Sequence, residues 1–278
     1  MKKLLFTFIS ISVLSSTFSQ EAADKKVQAG IITSFGLNFT NPTTKLISRD
    51  GVGTDLTIGM NLNYNFTPTI GINTGIEFDF ESFKYKTNAT SNLYYYYNDS
   101  EILTKNQYID ASGNFTAPAN GKLYQLTERK EKPIYLTIPT MMLFRTKFIG
   151  YFRYFGKFGV RNSFLLGSTI FDKGFTTDMM TSTAASNDQM KTTSRDLALY
   201  KGAVGLSGGA EWNFSGTTSL VAEIGYYYGF LNVSRGNSIT GDKEKNMSVF
   251  TTPLLTPSGY NPLSLKQNQL MLKVSILF

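Results

Sequence analysis

The chain has 278 residues, a formal charge of +7, and 22 Phe and 16 Tyr against 1 Trp and 8 Pro, a strand-rich profile for one large domain or two ordinary ones. Cysteine and histidine are both absent, which excludes disulfide scaffolds, thiolate metal sites and cysteine nucleophiles, and removes the commonest general base and zinc ligand. No catalytic residue, metal ligand or cofactor motif is predicted, and the basic excess lacks the dense stripe that a nucleic-acid partner needs.

The opening "MKKLLFTFISISVLSSTFSQ" has Lys2 and Lys3, an apolar run over residues 4–14, and the small residues Thr17 and Ser19. It predicts a secretory signal peptide over residues 1–19, since a membrane-spanning helix needs about 20 apolar residues. Residues 20–278 are then the mature domain.

From Val27 the sequence alternates. Val27, Ala29, Ile31, Thr33, Phe35, Leu37 and Phe39 share one face of a first strand, opposite Gln28, Gly30, Ser34, Gly36 and Asn38. The second, "DLTIGMNLNYNF", sets Leu56, Ile58, Met60, Leu62, Tyr64 and Phe66 against Asp55, Thr57, Gly59, Asn61, Asn63 and Asn65. The third carries Ile70, Ile72, Ile76, Phe78 and Phe80 opposite Asn73, Glu77, Asp79 and Glu81, and Phe83 and Tyr85 are read as a break of phase. The fourth, "IYLTIPTMMLF", contains Pro139, which cannot donate to a ladder and predicts a bulge or gap there.

The fifth strand places Phe152, Tyr154, Phe158, Val160, Phe164 and Leu166 opposite Arg153, Lys157, Arg161 and Ser163. The sixth has Tyr200, Val204, Leu206, Ala210, Trp212 and Phe214 opposite Lys201, Ser207, Glu211 and Asn213. The seventh has Leu220, Ala222, Ile224, Tyr226, Tyr228 and Phe230 opposite Ser219, Glu223 and Gly225, and the eighth is the C-terminal "NQLMLKVSILF".

Short turns near Thr67, Thr146 and Ser215 alternate with long polar segments from Thr40, Thr87, Thr169 and Ser234. Apolar-face aromatics collect at two heights: Tyr64, Phe66, Phe144, Phe152, Tyr154, Trp212, Phe214 and Phe278 at the short-turn end, and Phe39, Phe78, Phe80, Phe164, Tyr200, Tyr226, Tyr228 and Phe230 at the other. Together these features predict an all-β, eight-stranded antiparallel up-and-down transmembrane barrel with long extracellular loops and both termini periplasmic. A soluble β-sandwich would need polar residues on the face that here carries the aliphatics.

The leader ending "FSQ", the stretch "YLTIP" at residues 135–139 and the terminal "KVSILF" resemble the PorT-like, porin-family outer-membrane barrels of Gram-negative bacteria. The resemblance implies outer-membrane lipid as surroundings. It also implies a C-terminal assembly signal, here Leu270, Leu272, Val274, Ile276 and Phe278, read by the barrel-assembly machinery. Some members of that group are linked to protein secretion.

Eight strands enclose a space that side chains roughly fill. The inward charges Glu77, Asp79, Glu81, Glu211 and Glu223 face Arg153, Lys157, Arg161 and Lys273, and relative height predicts the pairs Glu77 with Lys157, Glu211 with Arg153, and Glu223 with Lys273. In the long second loop, Tyr94, Tyr95, Tyr96 and Tyr97 are either a surface-binding patch or the upper, solvent-facing extension of two barrel strands, and Arg129, Lys130 and Lys132 either meet lipid phosphates or form a solvated mixed-charge surface. The functional reading is a non-enzymatic barrel, plugged by lumenal charge pairs, acting through its external loops. A narrow porin for small solutes and an outer-membrane component of a secretion apparatus are the alternatives.

Overall fold

The computed structural model describes residues 25–88, 91–98, 101–110, 112–116, 121–177, 184–193, 197–234, 248–252, 258–260 and 263–278. Eight long strands form the fold: β1 (Val27–Pro42), β2 (Gly53–Asn65), β3 (Ile70–Thr87), β4 (Lys122–Arg145), β5 (Phe152–Thr177), β6 (Tyr200–Ser215), β7 (Thr218–Gly229) and β8 (Leu265–Leu277). Each pairs antiparallel with the next, and β8 returns to β1 with Ile31 opposite Ile276 and Leu37 opposite Leu270, so the sheet is a closed ring of eight. The predicted fold class is the fold of the structure. The signal peptide lies outside the described residues.

Period-two alternation builds this ring directly. Ile31, Phe35, Leu56, Ile58, Met60, Leu206, Ile224 and Leu272 point outward and are exposed, while Asp55, Thr57, Glu77, Arg153, Glu211 and Lys273 point inward and are buried. In water each square ångström of that apolar belt would cost about 25 cal/mol, a cost that hydrocarbon removes. The belt is rimmed by aromatic pairs in edge-on, tilted and stacked arrangements. At the short-turn end Tyr64 and Phe66 lie 5.4 Å apart, Phe152 and Trp212 6.2 Å, and Trp212 and Phe214 5.8 Å; at the long-loop end Phe164 and Tyr200 lie 5.4 Å apart.

Pro139 interrupts its ladder as expected. On the β3 side the pairing runs from Thr74–Thr140 to Glu77–Thr137 and skips the residues facing Pro139 and Ile138. Pro133 opens a second gap between Phe80–Ile134 and Phe83–Glu131, and both prolines keep their places in the ladder with β5.

Phe83 and Tyr85 do not break the phase of β3, contrary to expectation. Glu77, Asp79, Glu81, Phe83 and Tyr85 form one unbroken inward row, all buried. What changes along the row is the filling, from charged to apolar, because the strand rises out of the belt into a second core.

That core is built by β4 and β5, far longer than the alternating stretches suggest. Their ladder carries two irregularities, an extra Thr127 on β4 between Leu126 and Glu128, and an extra Leu166 on β5 between Leu165 and Gly167. Each bulge switches which residues face inward. Past them, Tyr124, Leu126, Ile170 and Asp172 are buried and join Ile47, Phe83, Tyr85, Leu93, Tyr95, Leu197, Val233, Val249, Leu263 and Leu265 at the long-loop end. Short loop strands extend the sheet: Ile47–Arg49 on β3, Leu93–Asn98 on β4, Ala184–Thr193 on β5, and Phe250–Thr252 beside Leu93–Asn98.

Candidate functional site

The inward faces of the strands place all the predicted lumenal charges in one space. Nearest the short turns, Arg153 and Glu211 sit directly opposite each other on β5 and β6, and the guanidinium donates to both carboxylate oxygens, at 2.6 and 2.9 Å. Gln28 on β1 accepts from Arg145 at 2.9 Å and from Arg153 at 3.3 Å.

One layer higher, Lys157 donates to Glu223 at 2.6 Å. At mid-height Arg161 reaches Glu77 at 2.8 Å and Asp79 at 2.9 Å, while Lys273 reaches Glu77 at 3.1 Å. Thr57 and Thr137 donate to the same Asp79 carboxylate at 2.7 and 2.5 Å. Above them Lys201 donates to Glu81, and the Gln269 amide bridges Asp55 at 3.0 Å and Glu81 at 2.9 Å. No side chain in these lumenal ion pairs is more than 6% exposed.

Two pairings inferred from height are therefore corrected. Glu77 binds Arg161 and Lys273 rather than Lys157, and Glu223 binds Lys157 although Lys273 faces it in the ladder. Height limits the candidates, but reach across the lumen and the planar Arg161 fork choose among them. Tyr227, not among the predicted lumenal residues although it shares the inner face of β7 with Glu223 and Gly225, has its ring 5.0 Å from the Arg161 guanidinium and 5.4 Å from the Lys273 ammonium. Its space is provided by Gly205, the residue opposite, where a Cβ would come within 2.3 Å of the ring. The sequence signal was a glycine at an inward position facing a tyrosine.

At the long-loop end a second buried constellation forms. Arg129 donates to both oxygens of Asp172 at 2.8 and 2.7 Å, and the Tyr95 hydroxyl donates to Asp172 at 2.8 Å. Burial, and secondly the Asp172 charge, hold the Tyr95 hydroxyl well above the usual phenol range. Arg129 is thus no part of a solvated surface, because it continues the inward row of β4 that runs through Thr137, Tyr135 and Glu131.

The tyrosine run is corrected as a binding patch for the same kind of reason. Tyr94, Tyr95 and Tyr96 are buried, and only Tyr97 is partly open. Tyr95 and Tyr97 pack on Tyr124 at 5.3 and 6.0 Å, while Tyr94 stacks on Phe250 at 6.3 Å and Tyr96 tilts against it at 5.5 Å. A strand with one edge on β4 and its two faces under separate loop clusters reads as an exposed loop when only composition is visible.

Asp55, Asp79 and Glu81 bring carboxylate oxygens within 4.8 Å of one another, the donor type for a hard cation. Arg161 and Lys201 already bind oxygens of Asp79 and Glu81, so positive charge is supplied from within. Two lumenal cavities beside Lys157 and Arg153 have volumes of about 10 Å³ each, roughly one water. The arrangement is a filled polar core.

A sequence model of the outer membrane protein β-barrel domain matches residues 18–235. The chain belongs to this family. As a member it is a protein of the bacterial outer membrane, and the apolar belt is its lipid-facing surface. Among solved structures the barrel is similar to Ail, the attachment invasion locus protein of Yersinia pestis, at 10% identity over 91% of this chain and 100% of that one, with a TM-score of 0.31. It is also similar to Neisserial surface protein A at 9% identity, over 90% and 96%, TM-score 0.31. A major outer membrane protein from Thermus thermophilus is 14% identical over 90% and 98%, TM-score 0.36. No curated protein matches the barrel.

Proposed function

We propose that this barrel is closed, non-conducting and non-enzymatic, and serves as a structural or surface-binding protein through its long-loop end. The reading includes an N-terminal leader over residues 1–19, a periplasmic short-turn end holding both termini, and a long-loop end outside the cell. One observation carries it: the ring is filled along its length, by buried ion pairs inside the lipid belt and by an apolar core above them. An ion crossing this path would have to separate Arg161 from Glu77 and Asp79 and then pass through Phe83, Tyr85 and Tyr95.

The proposed orientation has the short turns on the periplasmic side, as outer-membrane barrels generally do. The outward-facing Leu270, Leu272, Val274, Ile276 and Phe278 lie on a strand paired on both edges in the closed ring, so the barrel-assembly machinery would read them before β8 meets β1. Membership of the PorT-like group, and with it a part in secretion, is the finer alternative that co-purified partners would reveal.

The test is conductance of the refolded mature barrel in a planar bilayer, with heat-modifiable gel migration as the folding control. Silence from a verified barrel is expected. Discrete openings abolished by Arg161→Gln would replace the closed reading with the narrow-pore one. Orientation has its own test, since the chain lacks cysteine: Ser112→Cys should react with an impermeant maleimide on intact cells.

A further inference from the structure

Just above the lipid belt, the outer surface of β3, β4 and β5 breaks a rule that the row above it obeys. In the upper row Lys86 faces Glu128 and Glu128 faces Lys173, opposite charges in register, with Lys173 and Glu128 3.0 Å apart. In the next row down Lys84 faces Lys130 directly, and Lys130 faces Phe171. Like charges directly opposite on one sheet face repel. Lys132 follows on β4, its ammonium 4.8 Å from the Phe171 ring.

These side chains surround a hollow of about 260 Å³ whose lining also holds Lys173, the acidic residues Asp50, Glu128 and Asp172, and Arg129, which neutralises Asp172 from the inner side. Among the described residues no ion pair joins a carboxylate to Lys84, Lys130 or Lys132. Burial, followed by Lys132 and Lys84, pushes the Lys130 ammonium below its ordinary value, so the repulsion is felt at the site itself.

Height identifies what could relieve it. Phe80 and Ile134 face each other at the upper edge of the belt, and Lys84 and Lys130 lie four residues further along the same two strands. At about 3.4 Å per residue and a strand tilt of about 40°, the lysine backbones stand roughly 10 Å beyond the hydrocarbon edge, just past the headgroup layer, which their flexible four-carbon stems reach. We propose that this hollow binds a phosphate group carried by an outer-leaflet lipid headgroup, held between Lys84, Lys130 and Lys132 while the acyl chains lie along Phe80 and Ile134. The proposal goes beyond the closed-barrel reading and rests only on its orientation.

Native mass spectrometry of the mature barrel in nonionic micelles tests this without any sidedness, so a failed orientation and a failed site are distinguished. The probes are bisphosphorylated lipid A, its dephosphorylated counterpart and inorganic phosphate, applied to wild type and to the Lys84→Gln/Lys130→Gln variant. One retained lipid A per wild-type barrel is expected, with retention at least ten-fold weaker in the variant and for the dephosphorylated lipid. Equal retention by the variant, or equal retention of the dephosphorylated lipid, would overturn the site. Saturation by inorganic phosphate alone at matched concentration would overturn the lipid as its ligand.

A second measurement guards against misfolding. In lipid-free micelles the variant should melt above wild type because the repulsion is gone, and added lipid A should raise the wild-type midpoint more. A variant that melts lower in lipid-free micelles would show the lysines to be structural, against the proposal.

Discussion

Arg161 holds together the middle of the lumen, since its guanidinium is shared by Glu77 and Asp79 and its face covers Tyr227. Removing it leaves two buried carboxylates with reduced compensation. Arg161→Met is expected to destabilise the barrel by about 3–5 kcal/mol, read from urea unfolding in micelles, and Asp79→Asn added to it should recover part of that loss. If the single variant unfolds with the wild type, the lumenal pairs are not the source of stability. Tyr95 offers a milder test at the other end. Tyr95→Phe removes one donor from a buried carboxylate and should cost about 1.5–3 kcal/mol. Because the folded Tyr95 hydroxyl titrates above its unfolded value, its contribution is fully present below about pH 10 and is lost as pH rises through the folded pKa. Alkaline titration followed by limited proteolysis should show an opening step in wild type that Tyr95→Phe lacks. At this scale the sequence was only partly legible: alternation told which charges point inward, but the partners of Glu77 and Glu223 depended on side-chain reach across the ring.

Among the elements, β1, β2, β6, β7 and β8 are legible because each keeps one phase from end to end. The upper halves of β4 and β5 are not, because the bulges at Thr127 and Leu166 invert the pattern and make a continuing strand resemble its end. The bulge at Leu166 also turns Asp172 inward, where it meets Arg129, which keeps the inward phase of the belt segment of β4. Deleting Leu166 is expected to turn Ser168, Ile170 and Asp172 outward while leaving the belt segment of β5 in place. The shortened protein should keep heat-modifiable migration but lose the long-loop end to protease at concentrations that spare wild type. Cleavage at the same rate in both proteins would mean that the phase of β5 is set elsewhere.

Taken as a whole, the molecule obeys two opposite solubility rules along one axis. Within the lipid belt the outside is apolar and the inside charged, and above it Phe83, Tyr85, Leu126 and Ile170 form an ordinary apolar interior under a surface of lysine and glutamate. The sequence expressed the lower rule as clean alternation and hid the upper one in segments that composition marks as loops. Silence in a conductance experiment, tested above, belongs to this scale, because it requires both cores to be closed together.

Trp212 carries a consequence of a different kind. It is the only tryptophan of the chain, and it stands in the lower aromatic girdle between Phe152 and Phe214. The native protein therefore contains its own optical depth gauge at a known rim. As the barrel folds into vesicles, the emission of this one indole should shift to the blue when the end of β6 reaches the interface. Lipids brominated near the carbonyl should quench it more strongly than lipids brominated at mid-chain, timing the arrival of that rim without any label.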